Sequence, residues 1–263
     1  KIRTGFHRPA FFRAGRGAGS YQSRPLGHAL RSNAIPGQPA SHWRRPFVGR
    51  RGHGPVRRGC RWTGVHGREP DQTDVDRMFA NFVPMQLECL RNYTTLLPHV
   101  AEVTQSFQKQ GIKIGSSTGF VRSMVDILEA DAKEQGYVPD ASVAGDEVEN
   151  GARPKPFMVY RNLDLMDVHP IQSVVKVDDT ISGVGEALEA GCWGVGIARY
   201  SNYMCIDSLD QVENLPENDI QRRLAETREI LRKAGAHYVI DTFDQLPDVI
   251  EDINLRLGRG ETP

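Results

Sequence analysis

Apolar residues recur at two spacings along most of this chain, and the switches between those spacings map its elements. Ile112-Lys-Ile-Gly115, Val174-Val-Lys-Val177, Trp193-Gly-Val-Gly-Ile197 and His237-Tyr-Val-Ile240 are short, largely β-branched runs of strand length. A further short strand is expected around Ser142–Ala144. Between these runs the apolar residues fall three and four apart. That spacing predicts helices over Val100–Gln110, from Phe120 through Met124 and Leu128 to Gly136, and over Pro156–Met166. It predicts further helices over Gly183–Ala190, Asp219–Lys233 and Gln245–Leu257. Upstream, Val75, Met78, Phe79 and Phe82 stand at helical spacing behind Thr73-Asp-Val-Asp76, which reads as a capping box. Pro84 is expected to kink or break that helix. Strands alternating with helices predict an α/β fold: right-handed crossovers and a mostly parallel sheet covered by helices. Gly111, Gly191 and Gly235 each stand between a helix and the next strand, as such connections prefer.

The first 68 residues break this pattern. They hold 14 Arg and one Lys with no Asp or Glu, so residues 69–263 carry 18 basic groups against all 33 acidic ones. The net charge of zero therefore hides two oppositely charged halves. Phe6, Phe11, Phe12, Trp43, Phe47 and Trp62 follow neither period, and the stretch is crowded with Gly and Pro. Such a segment buries too little apolar surface to offset the entropy of ordering it, and disorder is expected. Three readings stay open: a basic nucleic-acid-binding arm, an Arg-rich targeting peptide, or a GC-rich coding region read out of frame. Nucleic acid as a partner follows only from the first of these.

The domain boundaries expected from the sequence are 1–68 for the basic segment, 69–108 for helical material and 109–263 for the α/β core. No apolar run is long enough to span a bilayer. Cys60, Cys89, Cys192 and Cys205 have no metal or CxxC spacing, which suggests a reducing, cytoplasmic setting.

The candidate chemistry lies at strand ends. Ser116, Ser117 and Thr118 follow a strand and precede a helix N-terminus, where free N–H groups favour an anion. Capping that helix is the plainer role for Ser117 or Thr118. Arg153, in the loop Gly151-Ala-Arg-Pro-Lys-Pro156, offers a guanidinium, with Lys155 as the fallback cation. Asp178 and Asp179 directly follow an apolar strand. Two adjacent carboxylates there suit Mg²⁺, although Asp179 could instead cap the next helix. Asp74-Val-Asp76 has the spacing of a nucleophile motif, but no strand precedes it and the capping role fits better.

These motifs, taken in order, resemble the phosphonoacetaldehyde hydrolases (phosphonatases) of the haloacid dehalogenase (HAD) superfamily. Gly111-Ile-Lys-Ile-Gly-Ser-Ser-Thr-Gly119 is close to the family's second motif, and Ala152-Arg-Pro-Lys-Pro-Phe-Met158 resembles its cationic loop. Val175-Lys-Val-Asp-Asp-Thr180 and Ala190-Gly-Cys-Trp-Gly-Val-Gly196 resemble its metal motif and the strand after it, and Gly235-Ala-His-Tyr-Val-Ile-Asp241 its last strand. The resemblance implies a HAD-like Rossmannoid sheet with the remnant of a helical cap over residues 69–108. It implies a cytoplasmic, homodimeric, Mg²⁺-dependent hydrolase of phosphonate catabolism that cleaves the C–P bond of phosphonoacetaldehyde to acetaldehyde and phosphate. Another HAD-type phosphatase is the alternative within enzymes.

By the same resemblance Thr118 and Arg153 are catalytic, Ser117, Thr118, Gly119 and Arg153 bind the phosphoryl group, and Asp179 and Asp178 bind metal. The family attacks phosphorus with an Asp on the first strand and forms a Schiff base through a cap lysine. Neither has a counterpart here. The family's Asp-Trp-Ala-Gly-Thr-Thr loop is nowhere in the sequence, and the only lysine before Lys109 is Lys1. Gly183 stands where some members place a second metal carboxylate, and Phe120 where some place a tyrosine. The nucleophile strand of this superfamily lies mid-sheet, between the strands ending at Gly115 and Val177. No segment of residues 1–68 has the pattern to fill that slot, Ala10-Phe-Phe12 being too short. The chain as written is therefore expected to be inactive and poorly folded.

Overall fold

The computed structural model describes residues 9–13 in backbone, together with residues 66–206, 211 and 214–263. Most of the Arg-rich segment, with its three competing readings, lies outside the described residues. The chain divides into two compact units, residues 17–82 and residues 1–16 with 83–263.

The second unit is built on a six-stranded sheet in the order β3-β2-β1-β4-β5-β6. Its strands are β1 (Pro9–Arg13), β2 (Ile112–Ser117), β3 (Ala141–Val143), β4 (Val174–Asp178), β5 (Trp193–Ile197) and β6 (Tyr238–Ile240). The described helices are α1 (Gln72–Cys89), α2 (Val100–Lys109), α3 (Arg122–Glu134), α4 (Phe157–Met166), α5 (Ile181–Ala190), α6 (Glu217–Lys233) and α7 (Leu246–Gly258). The pairs β2–β3, β4–β5 and β5–β6 are parallel, as the alternation of elements predicts.

The exception sits at the centre. β1 runs antiparallel to both neighbours, pairing with β2 from Pro9↔Ser116 to Arg13↔Ile112 and with β4 only at Phe11↔Val175 and Phe12↔Val174. The expectation that nothing in residues 1–68 fills the central slot is therefore overturned. Two inner strand edges present rows of unpaired N–H and C=O groups, and a backbone ladder satisfies them without asking for a buried-strand side-chain pattern. Pro9, which has no N–H to give, stands at the first position of the strand, where its absence costs least.

Helices cover the sheet on both faces. On one, Val100, Val103 and Phe107 of α2 and Ile250 and Ile253 of α7 pack on Ile114, Val177, Val195 and Ile197. On the other, Val159 of α4 and Ala187 of α5 meet Val174, while Val184 of α5 packs with Leu224 and Leu231 of α6. The Trp-Gly-Val-Gly-Ile alternation of β5 explains this arrangement. Trp193, Val195 and Ile197 fill the first face. A Cβ on Gly194 would stand 3.3 Å from the Ala187 methyl, and one on Gly196 would stand 3.1 Å from Leu231, so the glycines let α5 and α6 lie close. Gly235, at φ +97°, turns the chain from α6 toward β6 in a backbone region that suits glycine.

Helix boundaries depart from the sequence reading in three places. α1 opens at Gln72 rather than at Thr73, and its box is Asp71 with Asp74: Asp74 N donates to Asp71 Oδ1 (3.0 Å) and Asp71 N to Asp74 Oδ2 (2.9 Å). Arg68 reinforces it, Nη2 donating to Asp74 Oδ1 at 2.7 Å, and this holds the Asp74 carboxyl well below the usual carboxylate range. α1 also continues through Pro84 instead of breaking there. Finally, β2 extends through Ser116 and Ser117, and α3 starts only at Arg122.

Candidate functional site

Strand alternation sets the first layer of the site. Val175 and Val177 point to the α2–α7 face, so Lys176 and Asp178 must point to the other, toward α4 and α5. Across the central strand, Ser117 stands at the tip of β2. Arg153 reaches in from the loop before α4, and Glu186 from the buried side of α5. Ser117, Lys176, Asp178 and Glu186 are each at most 1% exposed, and the Arg153 side chain is 17% exposed.

Their distances describe one cluster. Arg153 Nη2 donates to the Ser117 carbonyl at 2.7 Å, Nη1 lies 3.1 Å from Asp178 Oδ2, and Nε lies 3.2 Å from Glu186 Oε2. Lys176 Nζ donates to Ser117 Oγ at 3.1 Å and lies 3.0 Å from Glu186 Oε2 and 3.6 Å from Asp178 Oδ2. The other carboxylate oxygen of Asp178 accepts from Thr180 N (3.0 Å) and Thr180 Oγ1 (2.7 Å). Lys176 and Arg153 thus bridge from β4 and the α4 loop to the tip of β2, over the end of β1. Carboxylates buried to this degree need an oppositely charged partner, and the two cations supply it.

Packing holds Asp178 in place as firmly as charge does. A Cβ at Gly183 would fall 1.8 Å from Asp178 Cγ, so the carboxylate occupies the space that any other residue at 183 would need. Thr180, not Asp179, caps α5, its Oγ1 accepting from Gly183 N at 3.0 Å. Asp179 is 3% exposed, and its carbonyl accepts from Ser201 Oγ at 2.7 Å.

The structure brings Ser117, Arg153 and Asp178 together and leaves other candidates aside. Thr118 is half-buried: its N–H donates to the Val143 carbonyl (3.1 Å), and its hydroxyl accepts from Phe120 N (3.2 Å). Gly119 is exposed, and Lys155 Nζ donates to its own loop, at Asn150 O (2.6 Å). The N-terminus of α3, expected to favour an anion, receives one from the protein itself: Arg122 N donates to Asp146 Oδ1 at 2.9 Å.

Sequence reasoning missed Lys176 and Glu186. A signal was available for both. Lys176 is a lone charge inside a valine run read as a buried strand, and Glu186 lies on a helix otherwise rich in Gly, Ala and Val; each demands a partner.

Mg²⁺ calls for hard oxygen donors. Asp179 supplies one. Both oxygens of Asp178 already face Arg153, Lys176 and Thr180, and no group of three or more His, Cys, Asp or Glu that could hold a metal ion occurs among the described residues.

No protein-family model matches the chain. A phosphonoacetaldehyde hydrolase from Syntrophobacter fumaroxidans is 36% identical over 203 residues, 77% of this chain and 73% of that protein. One from Bacillus cytotoxicus is 41% identical over 192 residues, 73% of this chain and 72% of that protein. A bifunctional phosphonoacetaldehyde hydrolase/aminoethylphosphonate transaminase from Clostridioides difficile is 39% identical over 189 residues, but the chain spans only 29% of its length. Among solved structures, a phosphonoacetaldehyde hydrolase-like protein from Oleispira antarctica superposes with a TM-score of 0.76 at 34% identity, covering 80% of this chain and 75% of that one. A HAD hydrolase from Entamoeba histolytica shares the fold, with a TM-score of 0.53 at 16% identity.

Proposed function

The chain belongs to the phosphonoacetaldehyde hydrolase family of the HAD superfamily, and on that premise we propose that its site binds a small phosphonate, phosphonoacetaldehyde, without turning it over. The observation that carries the binding half is the meeting of Ser117, Arg153 and Asp178 beside Asp179 at the C-terminal ends of β2 and β4, where α/β sheets form their sites. Arg153 is the group suited to a phosphonyl oxygen, because its planar fork takes two oxygens at once.

Asp179 would hold Mg²⁺, whose charge offsets that of the phosphonyl oxygens. Asp178 stays outside the metal set in this reading, because its oxygens serve Arg153, Lys176 and Thr180.

The reading that the chain does not turn over rests on what the sequence lacks. The family's nucleophile loop is absent, and β1, in the slot where the nucleophile strand would lie, runs antiparallel with Pro9, not an aspartate, at its Ser116 end. With no lysine between Lys1 and Lys109, no cap amine is available to condense with the aldehyde. We carry over a homodimeric, cytoplasmic setting from the family; no described helix is long and apolar enough to cross a membrane.

The test pairs binding with turnover. Phosphonoacetaldehyde should broaden and shift in ³¹P spectra on addition of protein, with no acetaldehyde released in the presence of Mg²⁺. Mg²⁺-dependent acetaldehyde release that Asp179→Ala abolishes would refute the inactive reading. Absence of any saturable ³¹P change would refute the binding one.

A further inference from the structure

We infer that Lys176 and Glu186 are positioning residues for Arg153: they hold its guanidinium in the orientation from which its terminal nitrogens meet an incoming phosphoryl or phosphonyl oxyanion. This deepens the reading of the site given above and rests on it.

A guanidinium has five N–H donors in a fixed plane. Here Nη2 donates to the Ser117 carbonyl (2.7 Å) and reaches its Oγ at 3.5 Å, while Nε and Nη1 stand at ion-pair distance from Glu186 (3.2 Å) and Asp178 (3.1 Å). The Arg153 side chain is 17% exposed, and its two terminal nitrogens are the pair that binds a tetrahedral oxyanion in bidentate fashion.

Lys176 has the opposite character. Its Nζ donates to Ser117 Oγ and stands at ion-pair distance from Glu186 Oε2 and Asp178 Oδ2, and the residue is 1% exposed. So deeply buried, it presents no face to a ligand. Lys176 therefore acts through its neighbours. It shares both carboxylates with Arg153, so neither can draw the guanidinium fully inward. Glu186 faces Nε, and its Oε2 sits at ion-pair distance from both cations without the alignment of a hydrogen bond. Removing Lys176 leaves two buried carboxylates competing for Arg153. Removing Glu186 frees Nε and leaves Asp178 shared between two cations. Either change rotates the fork away from the ligand, and loss of such pre-organisation weakens oxyanion binding.

A purely structural role predicts something different, because a charge-free, well-packed pair can replace a buried ion pair with no loss of stability. The experiment titrates the full chain with inorganic phosphate by ³¹P NMR and follows the Arg153 Nε–H resonance, assigned with Arg153→Lys. Arg153→Met should abolish saturable binding. Lys176→Met combined with Glu186→Leu should melt cooperatively yet raise the phosphate Kd at least tenfold and displace the Nε–H resonance. If that double variant does not melt cooperatively, Glu186→Gln, which keeps the shape, should still raise Kd at least threefold. Parental affinity in whichever of these variants is folded would overturn the inference and leave the phosphoryl site standing. Parental affinity in Arg153→Met would overturn the phosphoryl-site reading, and this inference with it.

Discussion

β4 and β5 meet along four parallel residue pairs from Val175↔Trp193 to Asp178↔Gly196, whereas β4 and β1 meet along two antiparallel ones. The β4–β5–β6 half of the sheet is joined by helices that glycines allow to lie close, and each strand is specified by its own alternation. The β3–β2–β1 half closes on a strand whose role is to complete a backbone ladder. One half shows side chains choosing the pairing. In the other, the open slot chooses, and a short segment without a buried-strand pattern suffices. Lys176 and Arg153 cross that divide, tying β4 and the α4 loop to the tip of β2.

The largest expected effect strikes the tie. Lys176→Met leaves Glu186 and Asp178 buried with one cation instead of two, at a cost of about 3–5 kcal/mol. Urea denaturation read by circular dichroism checks it, and a loss below about 1 kcal/mol would show that the two halves are not coupled through this lysine. Gly183→Ala tests the close-packed half: its methyl cannot coexist with the Asp178 carboxylate as placed, and overpacking of this kind costs up to about 3 kcal/mol. An unchanged urea midpoint would mean that α5 slides freely on β4.

Phe11→Pro tests the other half by removing one ladder donor from the middle of β1, with an expected loss of roughly 1–3 kcal/mol from the carbonyl left unpaired. A midpoint equal to that of the parent would show that the sheet does not depend on β1, and the contrast between the halves would fall.

The smallest effect is one of pH. His237 Nδ1 accepts from Gly194 N at 2.9 Å, and burial, helped by the Arg256 charge, lowers its pKa below the ordinary 6.5. A depressed folded-state value means that this contribution to stability is present above the ordinary value and is lost as pH falls through it toward the folded one. The melting midpoint should fall between pH 7.5 and 5.5, and His237→Asn should flatten that fall. A slope unaffected by the substitution would remove His237 from the account.

Much of this was legible in the residues. Val174–Val177, Trp193–Ile197 and the helices between the strands announce themselves because buried strands read as apolar runs and covering helices as three-and-four spacing. Asp178 was found because a polar group at a strand end stands out against such runs, and Arg153 because it offers a cation in the Pro-punctuated loop before α4. β1 was not legible, because its place depends on what β2 and β4 lack and not on its own side chains. Ser116 and Ser117 were read as a turn because a strand that ends in hydroxyls has no apolar mark. Lys176 and Glu186 were hidden in otherwise apolar patterns, and their purpose emerges only when strand and helix are brought face to face.

The contact between Gly183 and Asp178 makes two positions five residues apart mutually exclusive. A carboxylate at 178 or a side chain at 183 can occupy that volume, but not both. Exchange between the two arrangements must therefore pass through a paired substitution, since each single step either overfills the space or leaves Arg153 and Lys176 short of an acid. Asp178→Gly with Gly183→Asp would move the carboxylate from strand tip to helix in one coordinated step, and a chain carrying that reversal should tolerate at 183 what this one forbids.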